Sequence, residues 1–353
     1  AVQSASWSTG GNMGTAIAYV GSLGTQTAAL AFGGLLPSTT AGTEEYNGSA
    51  WTNGGNLTTA RFYLGGAGTQ TAGLGFGGAP GTITATEEYN GSSWTNGGNL
   101  ATGRFGMGGA GTQTAALGFS GSNLPPTGAS EEYNGSSWTT GGTMSQNRNV
   151  ISGGGTQTAA IGFGGEYSGN PLTNKTEEYD GSSWTNGGNL NNPKKVAAGF
   201  GLQTAAVSAG GEAPGTSALT EQYDGTSWTN STSMSLARRQ LGGCGTTTAG
   251  LVFGGTDPSN ITNATEEYTG GDPATTAVEE YNGSSWTNGG SLPVSRTENS
   301  GAGTQTAGLN IGGDPLSNPS SQHYNGSSWT AGGNLNSIRE KASSAGTQTA
   351  ALS

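Results

Sequence analysis

Short apolar segments alternate with glycine-rich turns along the whole chain. In one copy of this pattern, four extended segments follow one another at residues 61–67, 71–78, 86–89 and 93–95. Segments of this kind, bounded by Gly, Asn, Ser and Thr, are typical of strands joined by tight turns. Each copy therefore predicts a four-stranded antiparallel meander, which is the form of a propeller blade.

The copies recur at a regular distance that is set by tryptophan. The spacings between successive tryptophans are 44, 43, 44, 46, 44, 58 and 43 residues, for Trp7, Trp51, Trp94, Trp138, Trp184, Trp228, Trp286 and Trp329. A period of this size is typical of propeller blades. Units so small and rich in glycine must share their apolar faces with neighbours, so residues 1–353 are predicted to form one domain.

Two turns of the repeat are nearly constant. A Gly-Thr-Gln-Thr-Ala run joins the first and second segments, as at Gly68. An Asn-Gly or Asp-Gly pair joins the third and fourth, at Asn47, Asn90, Asn134, Asp180, Asp224, Asn282 and Asn325. Because such pairs favour hairpins with two residues at positive φ, we predict type I′ turns. We interpret the Asn-Gly-Ser sequons first as turns, and only second as glycosylation sites.

The two ends of the chain carry complementary parts of one unit. Residues 1–13 match the third and fourth strands, with Trp7 in register, and residues 339–353 match the first and second strands. A ring closed by strands from both ends removes unpaired edges. We therefore predict an all-β, closed eight-bladed β-propeller whose last blade is shared between residues 1–13 and 339–353.

The spacing of the constant residues resembles a known repeat. A glycine pair closes the second strand, and a tyrosine and a tryptophan follow at fixed distances, as in Gly77-Gly78, Tyr89 and Trp94. This pattern is similar to the kelch repeat, and the close identity of the copies resembles kelch-like proteins of phages and environmental bacteria. The resemblance implies a propeller but no single function, since kelch propellers include enzymes, adaptors and surface proteins.

Charged residues are few, and they recur with the repeat. The formal net charge is -11, which disfavours nucleic acid as a partner. Acidic residues concentrate in the third-strand Glu-Glu-Tyr signature, whose first members include Glu44, Glu87, Glu131, Glu177 and Glu221. Most basic residues lie ten positions after a tryptophan, at Arg61, Arg104, Arg148, Lys194, Arg238, Arg296 and Arg339. We interpret the two sets as rings of partly shielded ion pairs; the alternative is an acidic ring that collects cations or basic partners.

Catalytic chemistry has little support in the composition. The single histidine, His323, and the single cysteine, Cys244, exclude multi-ligand metal sites built on these residues and leave no usual general base. The repeated carboxylate pairs are equivalent, whereas glycoside hydrolysis needs one unlike pair in a cleft. We therefore predict a protein that is not an enzyme and needs no cofactor or metal. The replacement of the glutamate pair by Gln322-His323 in the last copy has no explanation in the sequence.

The loops on one face differ between copies, and these are predicted to contact a partner. The longest spans 256–277 and contains a second Glu-Glu-Tyr signature at 266–268, before the one at 279–281, so that only one of the two is expected to form the third strand. Candidate contact residues are Tyr167, Asn170, Asp257, Asn260 and Asp272.

These features favour a structural or attachment protein on an extracellular or virion surface, alone or within a larger surface assembly, that binds a protein or a cell-surface glycan. The alternative is a lectin-like module. The sequence has no apolar stretch long enough to insert into a membrane. It begins Ala1-Val2-Gln3 without methionine, so we expect a processed chain or a piece of a longer one.

Overall fold

The computed structural model describes residues 5–270, 278–281, 284–288, 290–292, 299–312, 319–337 and 344–352. The chain divides into two compact units, of which we describe Ala5–Gly270 as the first. Strands joined by turns make up all the regular structure of the described residues, and none of these residues belongs to a helix that could span a membrane. The all-β class and the four-stranded antiparallel blades are confirmed.

The first unit consists of six four-stranded sheets, which we name blades 1 to 6. Blade 1 is formed by β2 Gly21–Thr25, β3 Ala28–Phe32, β4 Thr43–Tyr46 and β5 Trp51–Asn53. Blade 2 is formed by β6 Gly65–Thr69, β7 Ala72–Phe76, β8 Thr86–Tyr89 and β9 Trp94–Asn96. Blade 3 is formed by β10 Gly108–Thr112, β11 Ala115–Phe119, β12 Ser130–Tyr133 and β13 Trp138–Thr140.

The other three blades repeat this arrangement. Blades 4 and 5 are formed by β14 Ser152–Thr156, β15 Ala159–Phe163, β16 Thr176–Tyr179 and β17 Trp184–Asn186, and by β18 Ala198–Leu202, β19 Ala205–Ala209, β22 Thr220–Tyr223 and β23 Trp228–Ser231. A small hairpin of β20 Glu212–Ala213 and β21 Gly215–Thr216 lies in the loop of blade 5. Blade 6 is formed by β24 Gly242–Gly245, β25 Ala249–Phe253, β26 Thr265–Thr269 and β1 Ser6–Thr9.

Blade 6 shows that the predicted closure was wrong. Its outer strand is β1, which pairs antiparallel with β26 so that Trp7 lies opposite Tyr268. Closure through residues 339–353 is therefore excluded, and the ring has six blades rather than eight. The reason is the duplicated signature: β26 is followed by no tryptophan strand before β27 Glu279–Tyr281, so the N-terminal strand takes the free edge of β26.

The same glutamine bonds join five of the six pairs of neighbouring blades, including blades 1 and 6; between blades 5 and 6, Gln222 instead donates to the carbonyl of Thr247 at 3.3 Å. The Gln70 side chain in blade 2 donates to the carbonyl oxygens of Ala29 and Tyr46 in blade 1, at 2.9 and 2.7 Å. In the same way, Gln26 of blade 1 donates to Gly250 and Tyr268 of blade 6, at 3.0 and 2.9 Å. The Ala5–Gly270 unit is therefore a closed propeller.

Large aromatic side chains fill the space between blades, as predicted. Trp94 of blade 2 packs against Phe32 of blade 1 with ring centroids 4.9 Å apart, and its indole N–H donates to Thr43 Oγ1 at 3.0 Å. The tyrosines at the ends of the third strands are almost fully buried. Because Gly75 would place a Cβ only 2.8 Å from Phe32, the glycines of the second strand make room for these rings.

The ion pairs that the sequence predicts are present in five blades, but they are buried rather than partly shielded. The pairs are Arg61–Glu87 at 3.0 Å, Arg104–Glu131 at 2.8 Å, Arg148–Glu177 at 2.8 Å, Lys194–Glu221 at 2.9 Å and Arg238–Glu266 at 2.9 Å. Each basic side chain is at most 1% exposed, so the weak energy expected of a surface pair does not apply. Glu44 of blade 1 faces Ile17 instead, and Arg296 and Arg339 lie outside the described residues.

The second glutamate of each signature bonds to the next blade. The Tyr133 hydroxyl donates a hydrogen bond to Glu88 at 2.6 Å, and that of Tyr179 donates to Glu132 at 2.5 Å. Between blades 1 and 6, the Tyr46 hydroxyl donates to Glu267 at 2.6 Å. In blade 5 the glutamate is replaced by Gln222, and Tyr268 contacts Ser231 instead. The two glutamates of one signature therefore have different roles, one within its blade and one between blades.

These bonds predict how the propeller responds to alkaline pH. Burial, with the hydrogen bond to the neighbouring glutamate, raises the pKa of Tyr46, Tyr89, Tyr133, Tyr179 and Tyr223 from 10.0 to about 12. The folded state holds these protons more tightly, so their contribution to stability is complete below pH 10.0 and is lost as the pH rises towards about 12. Ultraviolet titration should show these five tyrosines ionising late, together with Tyr63 and Tyr268, whose pKa burial also raises, and Glu88→Gln should lower the pKa of Tyr133 alone. An unchanged Tyr133 titration in that variant would contradict this assignment.

The hairpin turns are present, but they are not type I′. Only the glycine has positive φ, as for Gly91 at 90°, while Asn90 does not. The Asn90 Oδ1 atom accepts the backbone N–H groups of Ser92 and Ser93, both at 3.0 Å. Asp180 accepts the equivalent bonds at 2.9 and 2.8 Å, so an asparagine or an aspartate serves the turn equally well.

The second unit repeats parts of the same pattern. Its described strands are the hairpin β27 Glu279–Tyr281 and β28 Trp286–Asn288, the sheet β29 Ser300–Thr304, β30 Ala307–Ile311, β31 Ser320–Tyr324 and β32 Trp329–Asn334, and the hairpin β33 Ala345–Thr347 and β34 Ala350–Leu352. The two duplicated signatures therefore both form strands, β26 in the first unit and β27, which pairs with β28, in the second. Gln348 donates to Gly308 and Tyr324, which reproduces the inter-blade bonds of the ring.

Candidate functional site: the mouth of the propeller

The six inner strands of the ring begin around a central cavity on the face that carries the variable loops. The residue two positions before each inner strand has a left-handed backbone, with φ between 48° and 63°, at Tyr19, Tyr63, Gly106, Val150, Val196 and Gln240. These six positions, which we call the left-handed ring, all line a cavity of about 740 Å³, its open ends included. A left-handed valine is strained, and strain of this kind persists only where the surrounding structure enforces it.

Backbone hydrogen bonds between blades enforce this conformation. Tyr63 donates its N–H to the carbonyl of Tyr19, and Gly106 donates to Tyr63, both at 3.0 Å. Gln240 donates to Val196, and Tyr19 donates to Gln240, both at 2.8 Å. The mouth of the propeller is therefore held rigidly, and the side chains around it have fixed positions.

The residues that precede the left-handed ring differ between blades, and they divide the mouth into two halves. We call them the rim positions, and in blade order they are Ala18, Phe62, Phe105, Asn149, Lys195 and Arg239. Each forms a backbone bridge to a residue in the loop after the second strand of its blade. In the same order, these partners are Leu35, Ala79, Ser122, Glu166, Glu212 and Thr256. Blades 1 to 3 thus supply an apolar half and blades 4 to 6 a polar half.

Aromatic rings cover the apolar half, which we call the aromatic arc. The Tyr19 and Tyr63 ring centroids lie 4.2 Å apart, those of Tyr19 and Phe62 lie 6.0 Å apart, and those of Tyr63 and Phe105 lie 6.1 Å apart. All four side chains are half-buried, in contrast to the almost fully buried tyrosines between blades. Burial has the largest effect on the pKa of Tyr63, followed by Tyr19 and then by the carboxylates of Glu166 and Glu212. All of them raise this pKa, so the phenol stays protonated.

Two carboxylates and two cations form a chain of ion pairs on the polar half, which we call the charged arc. Lys195 Nζ lies 2.6 Å from Glu166 and 3.6 Å from Glu212, and Arg239 lies 2.6 Å from the other oxygen of Glu212. Burial lowers the pKa of Lys195, but the two carboxylates outweigh it and hold the pKa above its usual value. The charged arc is neutral as a whole, in a chain whose net charge is -11.

Two polar atoms at the rim have no hydrogen-bond partner within the described part of the chain. They are the Oδ1 atom of Asn149 and the Nε atom of Arg239, and both atoms are shielded from solvent. Buried polar atoms in native proteins almost always have a partner. The Nε atoms of the buried arginines in blades 2, 3, 4 and 6 have no partner either, so these two atoms do not by themselves mark a binding site.

The predicted contact residues lie on the same face but in two separate loops. Tyr167 is half-buried, and its hydroxyl contacts Gln146 and Thr173, so it supports its own loop. Asn170 is exposed with φ of 70°. No hydrogen bond joins this loop to that of Asp257 within residues 5–270.

In the blade 6 loop, Asp257 accepts the backbone N–H groups of Ser259 and Asn260 at 2.7 and 2.8 Å, which makes a local turn and lowers the pKa of its carboxyl. Asn260 is exposed, and Asp272 lies outside the described residues. The predicted loop 256–277 contains β26, a strand of blade 6; residues 256–264 form the loop before this strand, and residues 271–277 lie outside the described residues.

The mouth residues are the functional candidates that sequence reasoning missed. Their signal is present in the sequence as the residue eleven positions after each tryptophan, which is Ala, Phe, Phe, Asn, Lys and Arg around the ring. A repeat that is nearly constant elsewhere varies strongly here. The importance of this variation depends on the ring, because only closure of six blades brings the six positions to one opening.

The opposite face offers fewer free groups. Its first turns are joined to the preceding blade by the Gln side chains already described, as in Gln113, which donates to the carbonyls of Gly73 and Tyr89 at 3.0 and 2.7 Å. Its second turns are closed by Asn or Asp on the backbone of the same turn. The repeated polar side chains of this constant face thus serve the propeller itself.

Comparison with known proteins gives no family for this chain. No protein-family model matches the sequence, and no curated protein matches it. The kelch resemblance stays a prediction that rests on the spacing of the glycine pair, the tyrosine and the tryptophan. Within the described residues, no group of three or more His, Cys, Asp or Glu side chains could hold a metal ion.

Proposed function

We propose that this protein is a binding module, not an enzyme, that attaches to a protein or a cell-surface glycan through the variable-loop face of its six-bladed ring. The observation that carries the proposal is the mouth, where a regular repeat presents five kinds of side chain at its six rim positions, next to a central cavity. Recognition commonly resides on loops that a rigid scaffold holds in place. The repetitive polar composition further favours an extracellular or virion surface.

A glycan is the second candidate partner, and the aromatic arc favours it. Half-buried aromatic rings next to polar groups are typical of small-ligand sites, where the rings supply contact area and the polar groups fix orientation. In this case the attachment protein would act as a lectin. The mouth would then hold a sugar, and the surrounding loops of Asn170 and Asn260 would contact the rest of the glycan.

Attachment can be localised by placing a photo-reactive amino acid at one residue at a time in the full-length protein. We expect crosslinks to the native particle or cell surface from Phe62, Asn170 and Asn260, and none from Thr27, which is exposed on a constant-face turn. A deletion in the blade 6 loop tests the same contact. It is confined to residues 257–260, because β26 begins at Thr265 and belongs to blade 6. Crosslinks from Thr27 alone would refute contact through the variable face.

Binding of a glycan has its own readout. We expect Phe62→Ala and Asn149→Ala to reduce binding to a neutral oligosaccharide array, while Thr27→Ala leaves it unchanged. Crosslinks from the variable face without any binding to the array would indicate a protein partner. The melting temperature of each variant serves as the control for folding.

A further inference from the structure

Blade 1 departs from the other five blades at the position of the buried ion pair. Residues 7–22 align with 51–66 without a gap, and this places Ile17 where blade 2 has Arg61. The glutamate of the pair is nevertheless present as Glu44, which is buried and 8% exposed. Its carboxylate accepts the N–H of Gly14 at 2.7 Å, as Glu87 accepts the N–H of Thr58 at 2.6 Å.

The other blades show what this arrangement of acceptors binds. In blade 2, Arg61 donates to the carbonyls of Gly77 and Ala85 at 3.0 and 2.7 Å, and to Glu87 at 3.0 Å. The same three acceptors hold Arg104 in blade 3, Arg148 in blade 4 and Arg238 in blade 6. In blade 5 an ammonium group, that of Lys194, lies 2.9 Å from Glu221.

Blade 1 retains the equivalent acceptors. Gly33 donates its N–H to Gly42 at 2.9 Å, just as Gly77 donates to Ala85 at 3.0 Å, so Gly33 and Gly42 correspond to the two residues whose carbonyls bind Arg61. Together with Glu44 and Ile17 they line a cavity of about 790 Å³, its open part included. The exposed residues Thr15 and Asn56 also line it, so the cavity is open to solvent.

We infer that this cavity is a binding site for a guanidinium or primary ammonium group on an unbranched alkyl chain, such as an arginine or lysine side chain of a partner. No basic side chain of the described residues forms an ion pair with Glu44. A ligand cation would bond to the Glu44 carboxylate and to the carbonyls of Gly33 and Gly42. Ile17 and Met13 would contact the alkyl chain.

The aliphatic side chain of Ile17 leaves the site without an internal cation, while a buried carboxylate favours one strongly. A neutral ligand would leave that charge uncompensated, and an anion would be repelled by it. The inference does not rest on the proposed function, because it concerns blade 1 alone and not the mouth.

Calorimetric titration of the full-length protein with n-propylguanidinium tests the site. We expect one saturable site in the wild type, n-butylammonium competing for it, and no binding of the uncharged n-propylurea. Ile17→Arg should fill the site from within, abolish binding and raise the melting temperature. Glu44→Gln keeps an acceptor for Gly14 but removes the charge, and it should weaken binding by about tenfold or more.

Several results would overturn the inference. These are the absence of saturable binding in the wild type, equal binding of n-propylurea, or full binding by either variant. If Ile17→Arg does not fold, Glu44→Gln by itself tests whether binding of the cation needs the charge of the Glu44 carboxylate. Ile161→Val is the matched control, since it shortens a buried isoleucine in β15 of blade 4, away from the cavity, and should bind as the wild type does.

Discussion

Deleting residues 1–10 is expected to open the six-bladed ring and to cause unfolding or self-association. The deletion removes β1, whose Trp7 packs against Tyr268 with ring centroids 4.7 Å apart and donates to the carbonyl of Thr232 at 2.9 Å. Loss of a packed tryptophan alone costs about 3–5 kcal/mol where it is buried. It also exposes the edge of β26, and unpaired edges recruit other chains. Thermal unfolding and light scattering measure both effects.

The matched control is removal of the other end of the chain. A protein of residues 1–270 retains β1 and all six blades, so we expect it to stay folded, monomeric and as stable as the ring in the full-length chain. Closure through residues 339–353 predicts the opposite result, with severe loss of stability on truncation at 270. The pair of deletions therefore distinguishes the two ways to close the propeller.

Arg104→Met is expected to destabilise the protein by about 3–5 kcal/mol, because it leaves Glu131 buried without its cation. The substitution also removes the donor from the carbonyls of Ser120 and Ala129, which Arg104 contacts at 2.8 and 2.6 Å. Denaturant titration of the protein measures this change in the free energy of unfolding. A loss below about 1 kcal/mol, the size expected of a surface pair, would contradict the role of burial.

Two further variants separate the charge from the shape of the side chain. Arg104→Lys should be tolerated much better, because blade 5 pairs Lys194 with Glu221 in the equivalent place. The double replacement of Arg104 by Met and Glu131 by Gln should recover part of the lost stability, since no uncompensated charge then remains buried. If the double variant is less stable than Arg104→Met, the charge of Glu131 is not the source of the cost.

The sequence by itself determined the blade and its internal contacts. A local repeat sets the strands and turns, because strand pairing and turn chemistry involve residues close in the chain. The predicted third strand, 86–89, agrees with β8. The first strand begins later than predicted, at Gly65, since Arg61 turns inward to Glu87 and Tyr63 takes a left-handed backbone. Spacing also indicated that the two recurring sets of charges pair with each other, while the structure shows that each pair lies within one blade.

Only the tertiary structure decided how many blades form the ring and which strand closes it. Trp7 carries the sequence of a fourth strand, and Glu266-Glu267-Tyr268 is a third strand with no tryptophan directly after it. The sequence contains both halves, but strand edges pair in space regardless of their distance along the chain. The two halves of the mouth depend on that closure, because they are formed by residues of six blades that the ring, and not the repeat, brings together.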